Sequence, residues 1–178
     1  MKRVAISILV LFSFPHIVAA QKSVSELAPS HASALQEFLT RHPDLDFMSE
    51  KVIDQDYLKS MRQYLGARLM PYYHKGDFNG DGRQDFAHIL AREGPLEDQG
   101  PEITETHRYR YPITIVVFNG MKGGRYREAF VRNYTAPLVC FLNTTGGRKK
   151  RLYFGVSETD EAFGMTPVGR GYIVEYEN

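Results

Sequence analysis

Apolar side chains recur at helical spacing in two segments near the start of the chain. In the first segment, Leu35, Phe38 and Leu39 fall on one face of a helix. The second segment, residues 54–66, carries a longer apolar stripe, which consists of Tyr57, Leu58, Met61, Tyr64 and Leu65. The spacing predicts two amphipathic helices whose apolar faces pack against the rest of the domain.

From residue 84 onward the apolar pattern changes to the period of two that is typical of strands. Leu152, Phe154 and Val156 alternate with less apolar neighbours, which indicates a strand with one buried face. Strands are predicted at residues 85–91, 111–119, 126–131, 138–142, 151–157 and 171–176. Short connections rich in Asn and Gly, at residues 119–124 and 143–148, predict hairpin turns. We therefore predict an α+β fold, in which N-terminal helices pack on an antiparallel meander sheet of five or six strands.

One long segment, residues 93–112, does not fit a simple meander. It separates two predicted strands and holds five acids before Thr106. Loops of that length usually carry function or are disordered. Because its second half alternates through Ile103, Glu105 and His107, the segment is alternatively a protruding extension of the next strand.

The first twenty residues have the three parts of a secretory signal. Two cations at residues 2 and 3 precede an apolar stretch at residues 4–14, and small residues follow at 18–20. The apolar stretch is shorter than the roughly 20 residues that span a bilayer. We predict a signal peptide over residues 1–20, cleavage before Gln21, and an exported protein that is periplasmic or secreted and not inserted in the membrane. Residues 21–178 then form a single domain.

Charge and cysteine content exclude several classes of protein. The chain has 22 Lys and Arg against 21 Asp and Glu, and cleavage of the signal removes two cations, which leaves a net charge of about −1. Such a balance does not favour nucleic acid. The single cysteine, Cys140, excludes a disulfide scaffold and any Cys-rich metal site. It lies in an apolar run, so we predict a buried thiol and not a nucleophile.

Oxygen-bearing side chains recur at calcium-loop spacing in residues 77–85. Asp77, Asn79, Asp81 and Asp85 occupy positions 1, 3, 5 and 9 of such a loop. Gly82 occupies position 6, where the chain must turn sharply. Arg83 at position 7 would offer its backbone carbonyl, with its guanidinium directed into solvent.

This stretch resembles the DxNxDGxxD loop of FG-GAP and VCBS-type repeats, which occur in secreted and cell-surface proteins. The resemblance implies one Ca²⁺ ion held by Asp77, Asn79, Asp81, Asp85 and the Arg83 carbonyl. Those families stack several copies as propeller blades, whereas this chain has one copy, so the resemblance covers the loop and not the fold.

Position 12 of the loop is His88, where an EF-hand has a bidentate Glu. The loop is therefore not an EF-hand, and weak to moderate Ca²⁺ affinity is expected. The alternative is a metal-free turn held by Asx hydrogen bonds, which the same residues favour. Three carboxylates within nine residues would repel one another without a cation, which favours the metal.

Three functions remain open because no common catalytic motif is present. The first is a calcium-binding domain with a structural or interaction role. The second is a cell-envelope hydrolase that uses His88 or His107 with a carboxylate. The third is an exported inhibitor or immunity-type binder that presents residues 93–112. The partner would be another exported protein or, through the cations at residues 148–151 and 107–111, an acidic envelope polysaccharide.

Overall fold

The computed structural model describes residues 27–145 and 151–176. Its helices are α1 (Pro29–Arg41), α2 (Gln55–Leu65) and α3 (Glu105–Arg108), with a 3₁₀ turn at Glu50–Val52. Its strands are β1 (Leu45–Phe47), β2 (Tyr73–Gly76), β3 (Asp85–Arg92), β4 (Glu97–Asp98), β5 (Tyr109–Gly120), β6 (Tyr126–Ala136), β7 (Cys140–Thr144), β8 (Leu152–Val156), β9 (Ala162–Val168) and β10 (Gly171–Tyr176). The predicted signal peptide and residues 148–150 of the basic run lie outside the described residues.

The strands form two antiparallel sheets, so the predicted α+β fold with a single meander sheet is wrong. The six-stranded sheet has the order β1-β3-β5-β4, with β2 also paired to β3 and β6 to β5. The four-stranded sheet has the order β10-β9-β8-β7. Strands hold 43% of the described residues and helices 21%. Alternation along a strand predicts one buried face but does not identify the sheet that covers it.

The main core lies between the two sheets. Apolar side chains from the inner faces of both sheets meet there: Ile89, Ile113, Ile115, Val117, Leu142, Leu152, Phe154, Phe163 and Met165. Cys140 is fully buried in this core, which confirms the predicted burial of the thiol. Contacts join β2 to β7 at one pair of sheet edges and β6 to β10 at the other. The molecule is therefore a β-sandwich whose two sheets meet along both edges.

The two predicted helices exist but cover opposite sides of the sandwich. Leu35 and Phe38 of α1 pack on Phe86 and Phe118 on the outer face of the six-stranded sheet. Met61 of α2 packs instead with Phe141, outside the four-stranded sheet. The two helices therefore do not pack on the same sheet. The apolar face of each helix covers the outer face of the sheet nearest to it.

All six predicted strands are present, with different ends, and four further strands were not predicted. The missed strands are short or poor in β-forming residues: β1, β2, β4 and β9, the last containing Gly164 and Pro167. They form because neighbouring strands offer unpaired backbone groups, which outweighs weak local preference. In the described part of the chain, no helix is both long and apolar enough to cross a membrane.

The segment at residues 93–112 is ordered and folds back on the sheet. Within it, β4 pairs with the start of β5, and α3 forms the connection between them. The expectation that its second half extends the next strand holds only from Tyr109 onward, because Glu105–Arg108 is helical. We call residues 93–108 the arm.

Candidate functional site

The predicted calcium loop is the turn of the β2–β3 hairpin. Strands β2 and β3 pair up to Gly76 and Asp85, so residues 77–84 close the hairpin. Gly80 and Gly82 have φ angles of 75° and 79°, a region that residues with a Cβ rarely adopt. The sharp turn predicted at Gly82 is thereby confirmed.

The side-chain oxygens at the first two predicted ligand positions turn into the loop. Asp77 Oδ1 accepts hydrogen bonds from the amides of Gly80 and Asp81, at 2.8 and 3.1 Å, and Asp77 Oδ2 accepts one from Gly82 at 2.9 Å. Asn79 Oδ1 also accepts from the Asp81 amide, at 2.9 Å. Two oxygens from different residues therefore lie around one backbone amide, as inward-facing loop ligands do.

Asp85 is the internal anchor of the loop. Its carboxylate is fully buried; Oδ2 accepts from the amides of Phe78 and Asn79, at 2.9 and 3.3 Å, and Oδ1 from Gly120 at 2.8 Å. Burial raises the pKa of Asp85, and the three backbone amides only partly offset this. The contact with Gly120 ties the loop to the end of β5, a link that no sequence pattern predicted.

The guanidinium of Arg83 was expected to point into solvent; its side chain is 39% exposed, but the guanidinium is paired with a loop carboxylate. Its Nη1 lies 2.7 Å from Asp81 Oδ2, while Asp81 Oδ1 accepts from the Arg83 amide at 2.9 Å. The repulsion among the loop carboxylates is thus relieved in part by a cation that belongs to the loop itself. The Arg83 guanidinium is thus paired with Asp81 Oδ2, an oxygen that a bound Ca²⁺ would need as a ligand.

The donor set fits Ca²⁺ in chemistry, although no metal-ready cluster is preassembled. Among residues 27–145 and 151–176, no group of three or more His, Cys, Asp or Glu side chains is positioned to hold a metal ion. Each carboxylate or amide oxygen has two lone pairs, so Asp77 Oδ2 and Asn79 Oδ1, which accept one amide hydrogen bond each, can still coordinate an ion. Asp77 Oδ1 already accepts two amide hydrogen bonds. Coordination by Asp81 Oδ2 requires Arg83 to move away, which lowers the expected affinity.

A polar groove of about 570 Å³ runs beside the loop. Four cations line it, namely Arg83, Lys122, Arg125 and Arg127, together with Asn79, Asp81 and Asn119. Lys122 and Arg125 form no ion pair with the described residues. Sequence reasoning missed this cluster because the β5–β6 turn and the β2–β3 turn come together only in the folded sheet.

The cations predicted at residues 107–111 are largely neutralised. Arg108 donates to both oxygens of Asp98, at 2.9 and 2.8 Å, and lowers the pKa of that carboxyl to about 2. Arg110 donates to both oxygens of Glu161, at 2.8 and 2.6 Å. The first pair lies within the arm and the second joins β5 to the β8–β9 connection, so both leave little charge for a polyanion.

The two histidines considered for a hydrolase are both engaged by the fold. His107 Nε2 lies 2.8 Å from the Ser157 carbonyl oxygen, and its Nδ1 lies 3.0 Å from Thr104 Oγ1. His88 is buried, and its Nδ1 donates to the Ile89 carbonyl oxygen at 2.7 Å. Neither ring is hydrogen-bonded to a carboxylate among the described residues, which is the pairing that a general base would need.

The arm exposes apolar side chains. Leu96, Ile103 and Tyr109 are each more than a third exposed, and the Arg108 guanidinium lies 5.1 Å from the Tyr109 ring centroid. Scattered apolar side chains are common on surfaces, but two on the arm and a third on the residue that follows it are suited to a protein partner.

Comparisons of this chain with protein-family models, with curated proteins and with solved structures found no match.

Proposed function

We propose that this protein is an exported, non-catalytic binding domain whose loop at residues 77–85 takes one Ca²⁺ ion. The observation that carries the proposal is the inward orientation of the Asp77 and Asn79 oxygens on a turn whose two glycines have positive φ. The ion would be held by Asp77, Asn79, Asp81, Asp85 and the Arg83 carbonyl. Both histidines of the hydrolase alternative are engaged in structural hydrogen bonds, which supports a non-catalytic role.

The ion would stabilise the molecule by fixing the β2–β3 turn against β5. Extracellular calcium modules bind at about 10⁻⁴–10⁻³ M, and the Arg83 ion pair favours the weak end of that range. With a Kd near 10⁻⁴ M, roughly millimolar Ca²⁺ would add about 1–2 kcal/mol to the free energy of unfolding. That corresponds to a rise in Tm of several degrees at most.

Thermal unfolding in EDTA and in millimolar Ca²⁺ tests the site. The wild-type Tm should rise with Ca²⁺, and Asp77→Asn and Asp81→Ala should each remove the rise. Asp160→Asn is the matched control, since it removes an exposed carboxylate in a different turn and should leave the rise intact. Equal Tm values for the wild type in both solutions, with no heat of binding in calorimetry, would make the loop a metal-free turn.

Replacement of Arg83 provides a sharper test because its guanidinium competes with the ion. Exposed ion pairs are worth up to about 1 kcal/mol, so Arg83→Gln should tighten Ca²⁺ binding by a few-fold in calorimetry. Its carbonyl remains available in the variant. Weaker binding by Arg83→Gln would contradict the proposed competition.

We place an acidic envelope polysaccharide in the groove beside the loop. Lys122 and Arg125 supply unpaired positive charge there, although the mature chain as a whole is close to neutral. Dextran sulfate should bind in a salt-sensitive manner and neutral dextran should not. Lys122→Gln with Arg125→Gln should weaken this binding, whereas Lys59→Gln with Arg68→Gln, which removes two cations elsewhere, should not. Equal weakening by both double variants would contradict the assignment of the groove as the polysaccharide-binding site.

The exposed apolar arm favours a second candidate, an inhibitor or immunity-type binder with a protein partner. Leu96→Ser with Ile103→Ser should leave Tm nearly unchanged, because both side chains are exposed. The same variant should abolish co-purification of any stoichiometric partner from the exporting cell. Retention of that partner would exclude the arm as the contact.

Export is supported by the composition of residues 1–20. Intact mass of the protein recovered outside the cytoplasm should match a chain that begins at Gln21. A chain that retains residues 1–20 in the membrane fraction would contradict export by cleavage.

A further inference from the structure

A small cavity opens where two short strands share the edge of β3. Strand β2 pairs with β3 up to His88, and β1 pairs from Leu90 onward. Residues that follow β1 and residues that precede β2 therefore meet beside His88. They line a partly open cavity of about 90 Å³, and Met48, Met70 and His88 belong to its lining.

His88 is the nearly buried histidine of this lining, and only one of its two ring nitrogens is hydrogen-bonded among the described residues. Its side chain is 4% exposed, and its Nδ1–H donates to the Ile89 carbonyl oxygen at 2.7 Å. That bond leaves Nε2 with its lone pair, and Nε2 makes no hydrogen bond with the described residues. A histidine held at one nitrogen by a backbone carbonyl is the usual form of a metal-ligating imidazole.

The other polar side chains of the lining supply no free ligand: Ser49 Oγ accepts from the Lys51 amide, and the exposed Lys51 ammonium has no lone pair to offer. Tyr72 donates its hydroxyl to the Leu138 carbonyl, and the Tyr73 hydroxyl lies 2.6 Å from His31 Nδ1. Glu50 is paired with Arg62 at 2.8 Å. The groups that remain available as ligands are an imidazole nitrogen and thioether sulfurs.

This donor set carries no negative charge, which selects the kind of ion. Hard divalent cations need carboxylate or carbonyl oxygens, and Zn²⁺ sites draw on thiolates, imidazoles and carboxylates. Thioethers with an imidazole suit a soft, weakly hydrated monovalent ion. The cavity is also large enough for an ion but small for an organic cofactor.

We propose that His88 Nε2 and the thioethers of Met48 and Met70 form a binding site for copper(I). The site is independent of the calcium loop. The pairing of β1 and β2 with β3 brings the three residues to the lining of one cavity.

Anaerobic titration of the full mature chain with Cu(I), against a chromophoric Cu(I) chelator and with ascorbate present, tests the site. One equivalent should bind. Met48→Leu and Met70→Leu are volume-conserving and each remove one direct ligand, so each should weaken binding by at least about tenfold, the smallest cost of losing even an outer-shell partner. Met121→Leu, which changes an exposed methionine in the β5–β6 turn, should leave the affinity unchanged.

Methyl NMR with silver(I), a soft ion without redox chemistry, provides a second measurement that does not depend on variants. The methyl signals of Met48 and Met70 should shift at one equivalent, and those of Met61, Met121 and Met165 should not. Retention of binding by the Met48→Leu, Met70→Leu double variant would overturn the proposal. So would loss of binding in Cys140→Ala, which would assign the ion to the thiol.

Discussion

At the scale of single residues, burial controls the charge of two histidines. His31 is fully buried, stacks on Phe86 at 4.4 Å, and has its ring nitrogens 2.6 and 2.7 Å from the hydroxyls of Tyr73 and Tyr126. Desolvation lowers the pKa of His31 and of His88 to about 4. Both rings are therefore neutral in the folded protein at neutral pH, although a histidine in an unfolded chain titrates near 6.5.

We expect the free energy of unfolding to decrease as the pH falls from about 6.5 towards 5. In that window His31 and His88 bind protons in the unfolded chain but stay unprotonated in the folded chain. The free energy of unfolding therefore increases with pH and decreases on acidification. Each histidine contributes a slope of up to about 1.4 kcal/mol per pH unit. Urea unfolding at a series of pH values measures the slope.

The variant His31→Gln separates the contribution of one ring. It should lose roughly half of the slope between pH 6.5 and 5, whatever it does to stability at pH 7. Asp85, whose pKa is raised, contributes to the pH dependence of stability with the opposite sign. Its contribution is the same in the wild type and in His31→Gln, so it does not affect the comparison. An identical slope in the variant and the wild type would contradict the neutral, buried state of His31.

At the scale of elements, the β5–β6 hairpin and the β2–β3 hairpin meet at one glycine. Gly120 ends β5 and donates its amide to Asp85. A Cβ on Gly120 would lie 2.3 Å from the backbone oxygen of Gln84, closer than any real contact. The two turns can approach each other only because this position has no side chain.

Gly120→Ala should therefore lower the free energy of unfolding by about 1–3 kcal/mol, since the two hairpins must separate to admit the methyl group. Gly164→Ala is the matched control, because a Cβ there meets its nearest atoms at an ordinary 3.9 Å. Urea unfolding of both variants makes the comparison. Equal effects of the two substitutions would mean that the contact at Gly120 does not hold the turns together.

At the scale of the whole molecule, the two sheets share one core. Glu161, in the β8–β9 connection, accepts from Arg110 and from the Tyr134 hydroxyl of the opposite sheet, the latter at 2.8 Å. Burial would raise the pKa of Glu161, but these donors hold it below its usual range. The hydrogen-bonded Glu161 carboxylate and the apolar core thus connect the same two sheets.

Cys140 reports on the separation of these layers. It is fully buried, and burial raises the pKa of its thiol to about 12. In the folded state a reagent therefore cannot reach the sulfur, and the sulfur is not in the reactive thiolate form. Labelling with a thiol reagent should be slow in buffer and should accelerate with denaturant in parallel with global unfolding. Rapid labelling in buffer would show that the sheets open locally at β7.

The sequence alone determined the local features, because periodicity and turn chemistry act over a few residues. It predicted both helices, six of the strands, the burial of Cys140 and the turn at Gly82. It also selected the residues of the candidate loop, since carboxylate and amide spacing is visible in one dimension. Whether Ca²⁺ binds there stays a prediction.

Only the tertiary structure decided which distant groups meet, because their meeting depends on strand pairing between segments far apart in the chain. It divided the strands into two sheets, brought Gly120 to Asp85, and turned Arg83 back onto Asp81. It likewise assembled the basic groove and placed Met48, Met70 and His88 around one cavity. No local sequence pattern predicts these contacts, because the residues next to each strand in the chain are compatible with many pairing partners. The burial of apolar side chains on both sheet faces selects the pairing that forms.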